Sequence, residues 1–406
     1  MKDFHASVGK KETQSYPLTG IRVIALEQAV AAPLASRHLA DLGADVIKIE
    51  RPGEGDFARR YDSSVHGLSS YFTWLNRAKR SLALDFKQPA GTEILQKLLD
   101  GTDVFITNLT LAALQRGGLS KEVVQANRPR LIYCTISGYG DGGPYRDRKA
   151  YDLLLQGESG LLAATGSPQE PAKVGVSLCD ISAGMYAAMA TLGALVGRRN
   201  TGQGTSIDIS LLESAAEWMG SPLYYYLGTG QCLARTGMRH SLIVPYGPYR
   251  CGDGQYLNLA IQNEREWLRF CELVLEHPAL AKDSRFARNE ERLAHRETLE
   301  PIIEGIFNGF TRSTLIERLK TAEIAWGDVN DISGLAAHPQ LRARAHWSAV
   351  EVNGHPFQML NHPMNLAEMP QRTDPVPSAG QHSEEILNEL GYDAAAIATF
   401  RQAKVI

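Results

Sequence analysis

The chain has 406 residues, 44% of them hydrophobic and 21% charged, with a formal net charge of −3. That length and balance leave room for two or three domains with sizeable cores, and they exclude both a disordered chain and a basic nucleic-acid binder. An anionic ligand would have to be met by local groups, so the partners expected are small molecules, with no nucleic acid and no membrane.

Residues 1–17 are polar, without the apolar run of a signal peptide, and are expected to be a tail. From Leu18 the pattern alternates. Strands are expected at Ile21 to Leu26, Asp45 to Ile49, Ser81 to Asp85, Val104 to Thr107 and Leu131 to Ile136, with helices at Pro33 to Leu42 and Ala90 to Leu99. Repeated β-α units of this kind predict an α/β fold, a parallel sheet with helices on both faces and ligands at the carboxyl ends of its strands. Function is therefore expected in the loops after Leu26, Ile49, Thr107 and Ile136. A Gly-rich turn at Ser137 to Pro144 lacks the Lys-Ser/Thr of a phosphate loop. A helix is expected over Tyr151 to Leu162, then a nearly all-apolar helix over Ile181 to Val196, whose length and two glycines suit a core helix. Thr205 to Ser210 should be a strand. Composition changes near Pro222, so the large domain is taken as 18–222, a smaller α+β domain as 223–331, and 332–406 as a return to the large domain. The five cysteines, Cys134, Cys179, Cys232, Cys251 and Cys271, form no C-x-x-C pair. This suits a reducing, cytoplasmic location with no metal site, and Cys179 is expected to be a buried small hydrophobe.

Asp180 ends the run Val176-Ser177-Leu178-Cys179-Asp180 just before the apolar helix. A carboxylate there is ordinarily an N-cap for orphan amides. The first β-α turn, Glu27 to Pro33, contains no glycine, which argues against dinucleotide binding although Glu50 closes the second strand as a ribose-binding acid would. Arg51, Lys79, Arg80, Lys87, Arg116 and Lys149 stand at or near the loops, where cations can meet a phosphorylated nucleotide.

Several words then occur in one order: Leu18-x-Gly-Ile-Arg-Val-Ile24, Leu42-Gly-Ala-Asp-Val-Ile-Lys-Ile-Glu50, Arg51-Pro-Gly-x-Gly-Asp56, Asn76-x-x-Lys79-Arg80-Ser81-Leu-x-Leu-Asp85, Asp103-Val-x-Ile-x-Asn108, Ser137-Gly-Tyr-Gly140, Tyr151-Asp152-x-x-x-Gln156 and Thr201-Gly-x-Gly204. Together they resemble the family III CoA-transferases (CaiB/BaiF family), from Leu18 to Gly380-x-His-Ser383. The group includes formyl-CoA transferase, carnitine CoA-transferase and α-methylacyl-CoA racemase.

The resemblance implies a Rossmann-like large domain, an interlocked-ring homodimer, and no cofactor beyond coenzyme A as substrate. Asp180 matches the family's nucleophile, which passes through an aspartyl-CoA thioester. Carried over position by position, the CoA contacts are Gln28, Ala29, Val30, Arg51, Leu84, Phe86, Lys87, Asn108, Leu109, Arg116, Lys149 and Tyr151. Racemases carry His-Asp where this chain has Tyr151-Asp152, so transfer is expected rather than racemisation. The consecutive glycines of formyl-CoA transferase are missing, so formyl or oxalate chemistry is not expected. Arg235, Arg239 and His240 occupy that region as candidates for clamping a remote carboxylate. The expected partners are acyl-CoA and carboxylic acids, with C4–C5 dicarboxylates favoured: succinyl-CoA donating to malate, citramalate, itaconate or mesaconate. Transfer within one dicarboxylyl-CoA such as mesaconyl-CoA, a 2-methylacyl-CoA racemase and a non-catalytic CoA-binding protein are the alternatives.

Overall fold

Val23, Ile24 and Ala25 are wholly buried, and an unbroken apolar run is what a strand needs when both faces of its sheet are covered. In the computed structural model, which describes residues 16–406, this run is β1 (Arg22–Leu26). It is followed by β2 (Asp45–Glu50), β3 (Arg80–Ala83), β4 (Val104–Thr107), β5 (Ile132–Ser137) and β6 (Ser206–Ser210). Their order is β3-β2-β1-β4-β5-β6 and every pairing is parallel. The order reverses between β1 and β4, which opens a crevice at the carboxyl ends of the strands.

Two cores cover the sheet. On one face lie the helices Ala31–Asp41 and Leu178–Thr201, whose buried alanines meet Val23, Ile106 and Cys134. Leu178–Thr201 is long and apolar enough to cross a membrane by length and composition, but its Cys179, Ala183 and Ala187 sit in this core. On the other face, Pro89–Asp100 and the C-terminal helices Ser383–Glu389 and Ala394–Gln402 bury Ile94, Leu98, Ile386 and Ile397 against Ile24, Ile47 and Phe105.

The chain divides into two compact units. The first contains the described residues up to Ser159, with Gly175–Trp218 and Leu341–Ile406. The return of the C-terminal part to the large domain thus begins at Leu341. It is fastened by Ser383 Oγ, which accepts from the Ala83 N–H at 3.1 Å, and by Leu360 O, which accepts from Arg77. Of the expected tail, residues 1–15 lie outside the described residues. Tyr16 packs against Gly43, where any added Cβ would overlap its side chain.

The second unit is Gly160–Val174 with Met219–Gln340. It starts earlier and ends later than composition suggests, and it takes in a stretch from the middle of the chain. Hydrogen bonds explain why: Gly237 N–H donates to Gly166 O at 2.9 Å, and Arg235 binds carbonyls in 163–168. The expected helix over Tyr151 to Leu162 is split into Asp152–Glu158 and Leu161–Ala164, because Gly160 takes the left-handed conformation at φ 80°. An antiparallel sheet of β7 (Tyr246–Arg250), β8 (Tyr256–Ala260) and β9 (Ala325–Gly327) packs its apolar face with Trp267, Phe270, Ile303 and Phe307.

Candidate active site

The turn after β1 forms tightly without a glycine. Ala29 itself takes the left-handed conformation, φ 64°, which costs a residue with a Cβ about 1–2 kcal/mol. Neighbours hold it there. Asn108 brackets Gln28, accepting its N–H at 3.0 Å and donating to its carbonyl at 2.8 Å, and Asp56 accepts the Ala29 N–H at 3.2 Å. Beneath the turn, Lys48 and Lys79 are fully buried and both reach Glu27, at 3.4 and 2.8 Å, while Lys48 also pairs with Asp56 at 2.9 Å. Burial raises the Glu27 pKa, but the two ammonium groups outweigh it and hold the carboxylate below its ordinary range. Lys79 is therefore part of the turn's foundation and not a loop cation, and Arg80 is likewise taken by Asp45, Glu385 and Glu389.

Above this foundation lies a cleft of about 890 Å³. Its walls come from the loops after β1, β2, β3 and β4, and include Gln28, Arg51, Leu84, Phe86, Lys87, Leu109 and Arg116. The loop after Ile136 does not line it. Of the other expected contacts, Asn108 positions Gln28, Lys149 is exposed away from the cleft walls, and Tyr151 is 70% exposed. Arg60 and Lys404 line the cleft although the sequence reading did not single them out. Arg60 pairs with Glu54 at 3.8 Å. Among the described residues, Arg51, Lys87, Arg116 and Lys404 have no carboxylate partner. Cations without carboxylate partners on a part-apolar cleft suit a phosphorylated ligand with a flat or aliphatic body.

Asp180 stands next to this region. The helix starts at Leu178 with Ser177 as its N-cap, so Asp180 is its third residue and does not cap it. Asp152 does that work from another helix, with Oδ1 accepting the N–H groups of Cys179 (2.8 Å) and Asp180 (3.2 Å), while Oδ2 accepts from Gln156. The Asp180 carboxylate makes no hydrogen bond or ion pair among the described residues. Burial, and then the charge of Asp152, push its pKa up to about 7. A carboxylate so raised is more basic and more nucleophilic once ionised.

Two links join Asp180 to the cleft. Gly184, one turn further along the same helix face, has Ala31 O only 2.6 Å from where a Cβ would stand, so this face sits against the start of Ala31–Asp41. Val30, Leu34 and Leu75 form a small cluster with Ile181 and Tyr71, which places Val30 in packing beside Asp180 and not on a cleft wall. An aromatic run also bridges the two: Phe57 of the cleft wall meets Tyr61 at 5.7 Å, Tyr61 meets Tyr71 at 5.6 Å, and the Tyr71 hydroxyl lies 3.5 Å from Ser177 Oγ. Burial and then nearby charges, Asp56 and Asp180 among them, push the Tyr61 phenol up to about 12, so it stays a neutral hydroxyl. Tyr61 carries no sequence signal of its own.

The clamp expected from Arg235, Arg239 and His240 is not assembled. Arg235 donates to the carbonyls of Ser167, Ala163 and Pro168. Arg239 is neutralised by Glu300 and Glu304 and lies over the Tyr249 ring. His240 stacks on Tyr246 at 5.0 Å, with Nδ1 accepting from two backbone N–H groups. Spacing alone revealed the cations but not these partners, and those of Arg235 and Arg239 come from distant parts of the chain.

A doubly wound domain with a cation-lined crevice and an unpartnered carboxylate beside it has the layout of an α/β enzyme with its site at the carboxyl ends of the strands. Residues 18–383 match the family described as CoA-transferase family III, and the chain belongs to that family. It is 35% identical over 384 residues to the succinate–glutarate CoA-transferase of Agrobacterium fabrum, covering 92% of this chain and 96% of that protein. To the human succinyl-CoA:glutarate CoA-transferase it is 32% identical, covering 96% and 90%. The crystal structure of a CaiB/BaiF family protein from Brucella suis superposes with a TM-score of 0.81 at 35% identity, covering 93% of this chain and all of that one. The protein is thus a CoA-transferase, an enzyme class whose members use CoA thioesters and carboxylates as substrates.

Proposed function

We propose that the cleft binds coenzyme A and that Asp180 is the group through which CoA is transferred. The observation that carries this is the state of Asp180: its part-buried carboxylate has no hydrogen bond among the described residues, capping is done by Asp152 instead, and its pKa is raised. Its carboxylate oxygen attacks the donor thioester carbonyl, expelling CoA thiolate and leaving a mixed anhydride. The thiolate attacks the aspartyl carbonyl, releasing the donor acid and forming an aspartyl-CoA thioester. The acceptor carboxylate then attacks that thioester, and the thiolate returns to the acceptor's acyl carbon. Each step exchanges a C–S for a C–O bond or the reverse, so that over the cycle one thioester is consumed and one formed, and Asp180 is regenerated without net proton change. The same geometry disfavours racemisation, since Asp152 is occupied by two backbone amides and Gln156 and is not free as a base.

The substrates proposed are C4–C5 dicarboxylates, with succinyl-CoA as donor and a succinate-like acid such as glutarate, malate, citramalate, itaconate or mesaconate as acceptor. The names of the Agrobacterium and human relatives support the succinyl donor, and a Chloroflexus aurantiacus relative is named for malate. One relative, from Acetobacter aceti, is named for oxalate, so oxalate belongs in the acceptor panel. A cytoplasmic homodimer is part of the proposal, supported by the exposed apolar side chains Met185, Met189 and Val196 on the core helix. The test is to incubate enzyme with succinyl-CoA alone, trap the adduct with borohydride or hydroxylamine, and map it by mass spectrometry. Modification of Asp180, discharged on adding acceptor acid, is expected. Turnover by Asp180→Ala at the wild-type rate would refute the assignment.

A further inference from the structure

Lys404 lies beyond the 18–383 span that matches the family, yet it is one of the four cations without a carboxylate partner that line the cleft. Its backbone is fixed from both sides. Asp85 N–H donates to Val405 O at 2.8 Å, Gln88 Nε2 donates to Lys404 O at 3.2 Å, and Val405 is buried in the second core. Lys404 itself takes φ 55° between the end of Ala394–Gln402 and that buried valine. The loop after β3, which lines the cleft with Phe86 and Lys87, therefore carries Lys404 with it. The ammonium group remains free to meet a ligand.

Position decides which part of the ligand it meets. The thioester must reach Asp180, whose helix is joined to the turn after β1. Lys404 is tied instead to the loop after β3, two strands away in the order β3-β2-β1-β4 and so roughly 10 Å across the sheet. There the Phe86 ring comes within 3.5 Å of where a Gly117 Cβ would be, next to Arg116. The far end of an acyl-CoA is its adenosine, whose 3′-phosphate monoester carries about −1.5 to −2 charge at neutral pH. Resting on the CoA reading of the cleft, we propose that Lys404 recognises this 3′-phosphate and so makes the enzyme select CoA over dephospho-CoA.

The test is calorimetric titration of wild type, Lys404→Gln and Lys404→Arg with CoA and dephospho-CoA at fixed low ionic strength, where an exposed cation is least screened. Wild type should bind CoA about tenfold or more tighter than dephospho-CoA, on the scale of one charge-assisted phosphate contact. Lys404→Gln should lose about tenfold for CoA and nothing for dephospho-CoA, and Lys404→Arg should recover most of the loss. In turnover, KM for the donor should rise with kcat unchanged. Equal weakening for both ligands, or unchanged CoA affinity, would overturn the assignment while leaving the cleft reading intact. Failure of wild type to bind CoA at all would instead remove the cleft reading itself.

Discussion

Replacing Asp180 by Asn should stabilise the first unit at neutral and alkaline pH while abolishing transfer. The folded-state pKa of Asp180 is raised from 3.8 to about 7, so the folded protein holds a proton that the unfolded chain releases. Stability from this group is therefore fully present in acid and is lost as pH rises from about 4 through 7. Three units at 1.36 kcal/mol each set a ceiling of about 4 kcal/mol. The side chain is only part-buried, so screening by solvent reduces the expected effect to ~1–2 kcal/mol, a few degrees of melting temperature. Thermal unfolding of wild type and Asp180→Asn from pH 4.5 to pH 8.5 would read it. The two curves should converge towards about pH 4, separate progressively up to about pH 7 and run parallel above it, with the variant more stable. A capping aspartate would give the opposite sign, since losing a cap costs about 0.5–2 kcal/mol. A variant that melts below wild type at pH 8, or a difference independent of pH, would refute the account of Asp180 as an unsatisfied carboxylate.

Two further outcomes follow from its surroundings. Asp152→Asn keeps an oxygen for the Cys179 and Asp180 amides but removes the neighbouring charge, so the acid limb of the kcat/KM profile should move to lower pH with little loss of stability. An unmoved limb would mean that Asp180 does not set it. Gly184→Ala should cost ~1–3 kcal/mol by pushing a methyl against Ala31 O, and should lower kcat more than it raises KM for CoA, because the displaced helix carries Asp180 while the cleft cations stand on other loops. Proportional loss in both parameters would show that the contact is only structural.

The central strands of the parallel sheet were legible in the sequence because strands buried on both faces are mostly apolar, and Val104–Thr107 falls at the residues expected, while the edge strand Ser206–Ser210 shows instead the alternation of a strand with one face exposed. Their carboxyl ends located the cleft for the same reason, since the winding of β-α units fixes where loops can hold a ligand. Family words then singled out Asp180, Arg51 and Arg116. Tertiary structure decided what those residues can do. That Asp180 is free depends on Asp152, 28 residues away, taking its cap; that Lys79 is not a ligand cation depends on Glu27, 52 residues away. That the turn after β1 is tight without a glycine could not be read from the sequence, because it depends on Asn108 and Asp56 holding Ala29 in a conformation its own side chain disfavours. Local sequence specifies which groups are present and the periodicity that buries them. Whether a charge is spent on a partner or left for a substrate is set by contacts between residues far apart in the chain, and these exist only once it has folded.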